Sequence, residues 1–208
     1  MIPPKIKKET LVKNKLIFSE EVIEDQFFEE ESFVQINQNC FCFDGCYFKN
    51  VTFDSACFKS ISIIDCVFDS CDFSNSSLNE GSFYRVEFIN CRILGTDFHG
   101  SHFKNVLFEN GNGSYANFSN CKMENTNFHF MNLPTSYFSE TNFKNCIFDE
   151  CHLEESEFVH TNLNKMDFST CFISGIVLSL DSMKEMIVSS YQALELSRLL
   201  GIKIKEDL

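Results

Sequence analysis

Residues 71–110 read CDFSN SSLNE GSFYR VEFIN CRILG TDFHG SHFKN VLFEN, with a large apolar residue at the centre of nearly every block of five. The same spacing holds without a slip from Phe18 to Leu178. Of the 33 central positions in that span, 21 are Phe and ten are Ile, Leu or Met. Only Gln38 and Gly113 break the pattern. Most of the chain is therefore one array of five-residue units.

A period of five excludes both a helix and a flat strand as the repeating element. In a helix, successive centres would be rotated by about 140° and scattered around the circumference. In a strand, alternate centres would point to opposite faces. The chain must therefore turn within each unit. This predicts a solenoid with the Phe side chains inside and coils stacked about 4.8 Å apart.

The pattern within each unit is a small residue, Asn or Asp, Phe or Leu, and two polar residues. This pattern resembles that of the pentapeptide repeat proteins over about three quarters of the chain. The resemblance implies an all-β solenoid, a right-handed quadrilateral parallel β-helix with four pentapeptides in each coil. On a twenty-residue coil one inner wall consists only of phenylalanine: Phe28, Phe48, Phe68, Phe88, Phe108, Phe128, Phe148 and Phe168.

The chain divides into three segments. Residues 1–17 form a basic N-terminal segment that either frays or lies across the open first coil, residues 18–178 form the β-helix, and residues 179–208 form a C-terminal cap. In the last segment Ser189 and Gln192 have capping-box spacing and Gly201 suits a C-terminal cap, which predicts a helix over the last coil. A surplus of apolar residues here predicts a homodimer through Leu196, Leu199, Leu200, Ile202 and Ile204.

A second inward position lies two residues before each centre and holds small residues. Eight of the eleven cysteines occupy it, which predicts buried, reduced thiols that act as small hydrophobic residues rather than disulfides or zinc ligands. Gly111 and Gly113 remove two inward side chains from one unit. Met131, one coil further on, is long enough to fill part of that space.

Charge is distributed unevenly along and around the predicted rod. The net charge is -13, but residues 18–178 alone carry 24 acidic and 8 basic residues. The side that bears the Phe wall has one base, Lys49, and eight acids, which are the predicted partner-binding residues: Glu29, Glu30, Asp69, Glu87, Glu109, Asp149, Glu150 and Asp167. The preceding side has six acids and five bases, and is almost neutral.

The charge of the coil suggests mimicry of nucleic acid. Eight coils give roughly 0.4 negative charge per Å, compared with about 0.6 for duplex DNA. A rod of this kind could occupy a basic DNA-binding groove. The alternative is an acidic interaction scaffold whose charge serves solubility and whose partner is another protein. Direct nucleic-acid binding is excluded, because phosphate contacts require Lys and Arg.

A narrower resemblance appears in QALELSRLLGIKI (192–204), with residues 71–98 and GSYANF (113–118). These stretches resemble the Qnr quinolone-resistance group and its chromosomal relatives in Gram-positive bacteria. The resemblance implies an end-to-end dimer that binds a type II topoisomerase, DNA gyrase or topoisomerase IV, and relieves fluoroquinolone poisoning. Some members carry projecting loops that contribute to protection. The unbroken phase from 18 to 178 predicts that this chain has none.

Other classes of function have little support. His99 and His102 lack an acidic partner at metalloprotease spacing and are expected on the surface. No phosphate-binding loop or nucleophile elbow is present, so no catalytic residue, cofactor or metal site is predicted. No apolar run approaches the length of a membrane span and no secretion signal is recognisable, which predicts a cytoplasmic protein.

Overall fold

The computed structural model describes residues 1–6, 9, 11–13, 15 and 21–205. Phe18, the first predicted centre, lies outside the described residues. The chain forms a parallel β-solenoid of about eight turns with one short C-terminal helix, which confirms the predicted fold class. The strands are β1 Val12–Lys13, β2 Val22–Glu24, β3 Gln26–Glu29, β4 Asn37–Asn39, β5 Cys42–Asp44, β6 Tyr47–Lys49, β7 Cys57–Lys59, β8 Ser62–Asp69, β9 Ser82–Ile89, β10 His102–Glu109, β11 Lys122–Glu124, β12 Asn127–His129, β13 Asn142–Lys144, β14 Ile147–Asp149, β15 Glu157–Phe158 and β16 Val177–Leu178.

From β2 onward strand pairing is parallel and joins residues twenty apart, as in Phe88↔Phe108 and Phe108↔Phe128. Strands β8, β9 and β10 are eight residues long and run through one corner, so they pair on two sides of the coil. The other two sides are held largely by single bridges, such as Arg92↔Asn112. Because each coil pairs only with the next, every side forms a surface that runs the length of the rod.

The core is the predicted wall of phenylalanines. Every member from Phe28 to Phe168 is buried, and neighbouring rings stack with centroids 4.6 to 5.5 Å apart. Rings from the opposite wall meet this wall edge-on, as Phe118 does with Phe108 at 5.7 Å. Stacked rings along the axis and edge-to-face contacts across it are arrangements that the charge distribution of aromatic rings favours.

The corners depend on the backbone at the last position of each unit. Every fifth residue from 25 to 165 has a positive φ, between about 49° and 70°. Asn occupies eight of these positions, in keeping with its tolerance of the left-handed region. Thr135 and Phe130 occupy the same conformation with φ of 56° and 52°, although a β-branched or bulky residue is disfavoured there.

The small residues at the second inward position leave room for the large central side chains, and they also donate hydrogen bonds. The Ser76 and Thr96 hydroxyls donate to the carbonyl oxygens of Phe53 and Phe73 at 2.6 and 2.8 Å. The Cys121 thiol donates to a carbonyl at the same offset of 23 residues, and burial raises its pKa to about 12. The prediction that these cysteines act only as small hydrophobic residues is therefore incomplete, because their S–H groups satisfy buried carbonyls.

The glycine unit packs as predicted. A methyl group on Gly111 would lie 3.0 Å from Met131 Sδ, and one on Gly113 would lie 2.7 Å from Leu133 Cδ2. Both neighbouring side chains are buried. Side chains from the next coil have thus taken the space that the glycines leave, and no void is open there.

The N-terminal residues lie lengthwise on one side of the rod. The Ile2 N–H donates to Asn105 Oδ1 at 3.1 Å, and the Lys5 N–H donates to Asp65 Oδ1 at 2.8 Å. We call residues 1–6 the N-terminal strap. Further along, β1 pairs with β3 and adds a strand to the first coil.

The coil continues past Leu178, the last predicted centre. Ile187 pairs with Asp167, and Met183 and Val188 fall on the next two positions of the five-residue period. The predicted helix then follows as α1, Ser190–Ser197, with both hydrogen bonds of the capping box between Ser189 and Gln192. A 3-10 turn, Arg198–Leu200, ends at Gly201 with a φ of 71°.

Candidate interaction surfaces

Two sides of the rod carry the candidate functional residues. We call the outward surface of the units centred on Phe28, Phe48 and so on to Phe168 the ladder side. The surface of the units that precede them, centred on Ile23, Phe43 and so on to Leu163, is the mixed side. Each unit presents three outward residues, one before its centre and two after it, so each side consists of three columns parallel to the axis.

All eight predicted acids lie on the ladder side and point outward. Glu29, Asp69, Glu109 and Asp149 occupy a single column, in which strand pairing joins each coil to the next. They recur every forty residues, or every second coil, about 9.6 Å apart. Glu30 and Glu150 lie at exposed corners of the same side, whereas Glu87 and Asp167 belong to its first outward column.

Several of these carboxylates have partners. Lys13 Nζ lies 2.7 Å and Lys49 Nζ 3.4 Å from the Glu29 carboxylate, and their hydrogen bonds and charge lower its pKa. The Tyr47 hydroxyl donates to Asp69 at 3.0 Å, and burial together with that bond raises the pKa of Tyr47 to about 12. His129 Nδ1 lies 3.3 Å from Asp149. Negative charge on the ladder side is therefore reduced most at its N-terminal end.

The ladder side also carries an outer apolar stripe, which summing the charges did not reveal. Its members share the first outward column, which Glu87 and Asn127 interrupt: Phe27, Tyr47, Leu107 and Ile147 are at least partly exposed, whereas Val67 is only 6% exposed. Ile147 is 49% exposed, and Phe130, at a corner of the same side, is 50% exposed. An apolar stripe beside carboxylates is typical of a protein-binding surface rather than of a merely solubilising one.

The mixed side contains a largely buried ion pair beneath the N-terminal strap, with both side chains 12% exposed. Arg85 binds both oxygens of Asp65 and stacks on the Tyr84 ring at 3.9 Å. Burial raises the pKa of the Asp65 carboxyl, but the hydrogen bonds from Arg85 and from the Lys5 N–H outweigh it and hold the pKa below its ordinary value of 3.8. The strap and the coil are thus joined through one carboxylate.

Replacement of Asp65 by Asn is expected to destabilise the protein by about 2 kcal/mol at pH 7, because Arg85 would lose its ionised acceptor in a poorly solvated place. A depressed folded-state pKa contributes stability above the unfolded value and loses it as pH falls through the folded value. The difference between wild type and Asp65→Asn should therefore shrink below about pH 3.8. Urea unfolding of both proteins from pH 2.5 to 7 measures this difference in the free energy of unfolding.

Glu150→Gln is the control for that experiment, because Glu150 is exposed on the ladder side. Its stability should stay within about 0.5 kcal/mol of wild type. A pH-independent difference between wild type and Asp65→Asn would contradict the role of the ionised pair.

The C-terminal end presents a second apolar surface. Leu199, Leu200, Ile202 and Ile204 are each about half exposed. Leu196, predicted with them as a contact residue, packs partly against the protein's own core. The helix face that meets the coil is marked by Gln192, which is buried. In the part of the chain that the structure describes, no helix is long and apolar enough to span a membrane.

Comparisons with known proteins agree with this architecture. A profile described as "Pentapeptide repeat region" matches residues 41–118, and one described as "Pentapeptide repeats (8 copies)" matches residues 136–175, together more than half of the chain. No curated protein sequence matches the chain.

Similar solved structures include two pentapeptide repeat proteins. Trypsin-treated QnrB1, described as a plasmid-mediated fluoroquinolone resistance protein, is 22% identical over 86% of this chain and 90% of that chain, with a TM-score of 0.34. HetL from the cyanobacterium Nostoc, described as involved in heterocyst differentiation regulation, is 8% identical over 80% of this chain and 86% of that chain, with a TM-score of 0.37. On the strength of the two matching profiles and the twenty-residue coil, the chain belongs to the pentapeptide repeat family.

Proposed function

We propose that this protein is a non-catalytic, cytoplasmic DNA mimic that binds a type II topoisomerase, DNA gyrase or topoisomerase IV. It would modulate the enzyme and protect it from fluoroquinolones. The observation that carries the proposal is the ladder side, where eight outward carboxylates face solvent beside one lysine, Lys49. A straight acidic surface of this length can compete with DNA for a basic groove.

The choice of a topoisomerase rests on the sequence resemblance to the Qnr group in residues 71–98, 113–118 and 192–204. The ladder side supports it in two ways. The carboxylates supply long-range attraction to a basic groove, and the outer apolar stripe supplies area that is buried on contact. The twenty-residue pairing is kept along the described coil without a projecting loop, so contact would be made by the side itself. We therefore expect the protein to bind the enzyme but to protect it only weakly from fluoroquinolones.

The test is inhibition of purified gyrase supercoiling over a concentration series, with and without a fluoroquinolone. Wild-type protein should inhibit at micromolar concentration or reduce drug-induced cleavage. The variant Glu87→Gln/Glu109→Gln/Asp149→Asn/Glu150→Gln should lose the effect, and wild-type binding should weaken steeply with salt.

The matched control removes four acids from the side that follows the Gly111 unit: Glu80→Gln/Asp97→Asn/Glu140→Gln/Glu157→Gln. It changes the net charge by the same amount but leaves the ladder side intact. If both variants lost inhibition equally, the total charge of the protein, and not the position of the acids on the ladder side, would determine binding. No effect of wild type on either topoisomerase would reject the proposal.

The second candidate is an acidic interaction scaffold for a different protein partner. The observation that favours it is the exposure of two apolar side chains on the ladder side, Ile147 in the outer apolar stripe and Phe130 at a corner, because binding through charge alone needs neither. Salt separates the two functions. Contact made mainly through apolar area should survive 0.5 M salt, whereas contact made mainly through charge should not.

We further propose a homodimer through the C-terminal segment. Leu199, Leu200, Ile202 and Ile204 together form an exposed apolar surface at one end of the rod. Leu199→Asp/Ile202→Asp should convert the dimer to a monomer in sedimentation equilibrium, because two charges would be desolvated in the contact. Val34→Asp, at the opposite end and 51% exposed, should leave the dimer intact. A wild-type monomer at 100 µM protein would overturn this proposal.

A further inference from the structure

The mixed side is neutral in total but divided along its length. Its first three coils carry Glu24, Asp25, Asp44 and Asp65. The coils from residue 102 onward carry a basic patch of exposed side chains: His102, Lys104, Lys122, Lys144 and Lys165. Glu124, an acid within this patch, lies 2.9 Å from Lys144 and 3.6 Å from Lys104, and their hydrogen bonds and charge lower its pKa. In the following coil Glu185 accepts a hydrogen bond from the Asn164 amide at 3.1 Å, next to Lys165. A positive surface thus exists on a strongly negative rod.

The N-terminal strap shows how this side holds an extended chain. Backbone N–H groups three residues apart, from Ile2 and Lys5, donate to side-chain oxygens of Asn105 and Asp65, two coils apart. Three extended residues span about 10 Å and two coils about 9.6 Å, so the spacings match. Asn105 is 2% exposed, so the amide that receives the strap is buried.

The same column of acceptors continues beyond the strap. Asn125 and Asn145 follow Asn105 in it, and their amides form a chain in which each Nδ2 donates to the preceding Oδ1 at 3.3 to 3.4 Å. Beside them lies a depression of about 310 Å³ lined by His102, Lys104, Lys122 and Lys144, among others. Asn145 is exposed, and no described residue covers this part of the mixed side.

We propose that the uncovered half of the mixed side docks an extended acidic segment of a partner protein. The acidic side chains would pair with Lys104, Lys122, Lys144 and Lys165, while the backbone N–H groups would meet Asn145 as those of the strap meet Asn105. This is a second surface beyond the ladder side, and it does not depend on a topoisomerase partner.

A polypeptide fits this site better than a nucleic acid. The acceptors Asn105 and Asp65 receive N–H groups, which a sugar–phosphate backbone lacks. The patch is one side wide, and the acidic ladder side adjoins it, so a duplex would bring its phosphates against carboxylates. A single extended strand is narrow enough to lie between them.

The test uses the full chain and a fluorescein-labelled deca-glutamate peptide at low ionic strength. Wild-type protein should bind it, and Lys122→Glu/Lys165→Glu should weaken binding at least tenfold, since two attractive contacts become repulsive. Lys59→Glu/Arg92→Glu, on the other two sides, changes net charge equally and should alter binding by less than about threefold.

The binding site is located independently on wild-type protein by backbone amide NMR shifts with the same peptide. Shifts confined to residues 102–105, 122–125, 142–145 and 162–165 support the proposal, even if the double variant should fold poorly. Absence of binding, equal loss in both double variants, or shifts on the ladder side would overturn it. Tighter binding of a deca-thymidylate strand than of deca-glutamate would also overturn it and assign the patch to nucleic acid.

Discussion

Phe108→Ala is expected to destabilise the protein by about 3 to 5 kcal/mol, among the largest losses that one truncation in this core can cause. Phe108 is fully buried, with rings of Phe88 and Phe128 stacked on its two faces at 4.8 and 4.9 Å. The cavity could not collapse. Parallel bonds on both strands flanking β10 fix the coil spacing, and neighbouring rings cannot move along the axis to fill the gap.

Urea unfolding monitored by far-ultraviolet circular dichroism measures the loss. Phe172→Ala is the control, because Phe172 is 57% exposed and stacks on His152 from outside the coil. It should cost less than about 1 kcal/mol. If Phe108→Ala cost no more than the control, the wall would have repacked and the rigid spacing would be wrong.

The core was predictable because the five-residue period alone determines which side chains face inward. A coil of twenty residues places Phe108 and Phe128 on one wall and Met131 beside the space at Gly111. The hydrogen bonds that the small inward residues donate are not predictable in this way. A thiol such as Cys121 reaches the carbonyl of Phe98, and that offset of 23 residues becomes visible only when the coils are stacked.

The sequence predicts which residues face outward on each side of the coil, but not how charges and contacts are arranged along each side. The net charge of the mixed side conceals the patch that contains Lys104 and Lys144, because the acids of the first coils offset its positive charge. The course of the strap is not predictable from the sequence, because Asp65 and Asn105 lie 60 and 103 residues away from the strap residues that they contact. Polar contacts between sequence-distant segments leave no periodic signal, whereas apolar burial does.

Gln192→Glu is expected to destabilise the C-terminal end by about 3 kcal/mol at pH 8, although it changes one atom of the side chain. The Gln192 amide Nε2 donates to the carbonyls of Phe168 and Cys171 at 2.9 and 2.7 Å, and its Oε1 accepts the Ser189 N–H at 2.7 Å. This one side chain therefore covers the open end of the coil and also caps the start of the helix. A carboxylate keeps the acceptor but turns a negative oxygen toward two buried carbonyls.

The pH dependence of this variant separates closing the coil from capping the helix. Burial without a cation raises the pKa of a carboxyl, and the protonated acid can again donate one hydrogen bond. The loss should therefore be largest above that raised pKa and should diminish as pH falls toward 5. Ser189→Ala, which removes only the cap, should cost about 1 kcal/mol at every pH in this range. A small, pH-independent loss in Gln192→Glu would mean that the amide serves the helix alone. In that case packing of Leu196 and Val188, and not the amide, would hold the helix on the last coil and so position the exposed leucines and isoleucines of the proposed dimer contact.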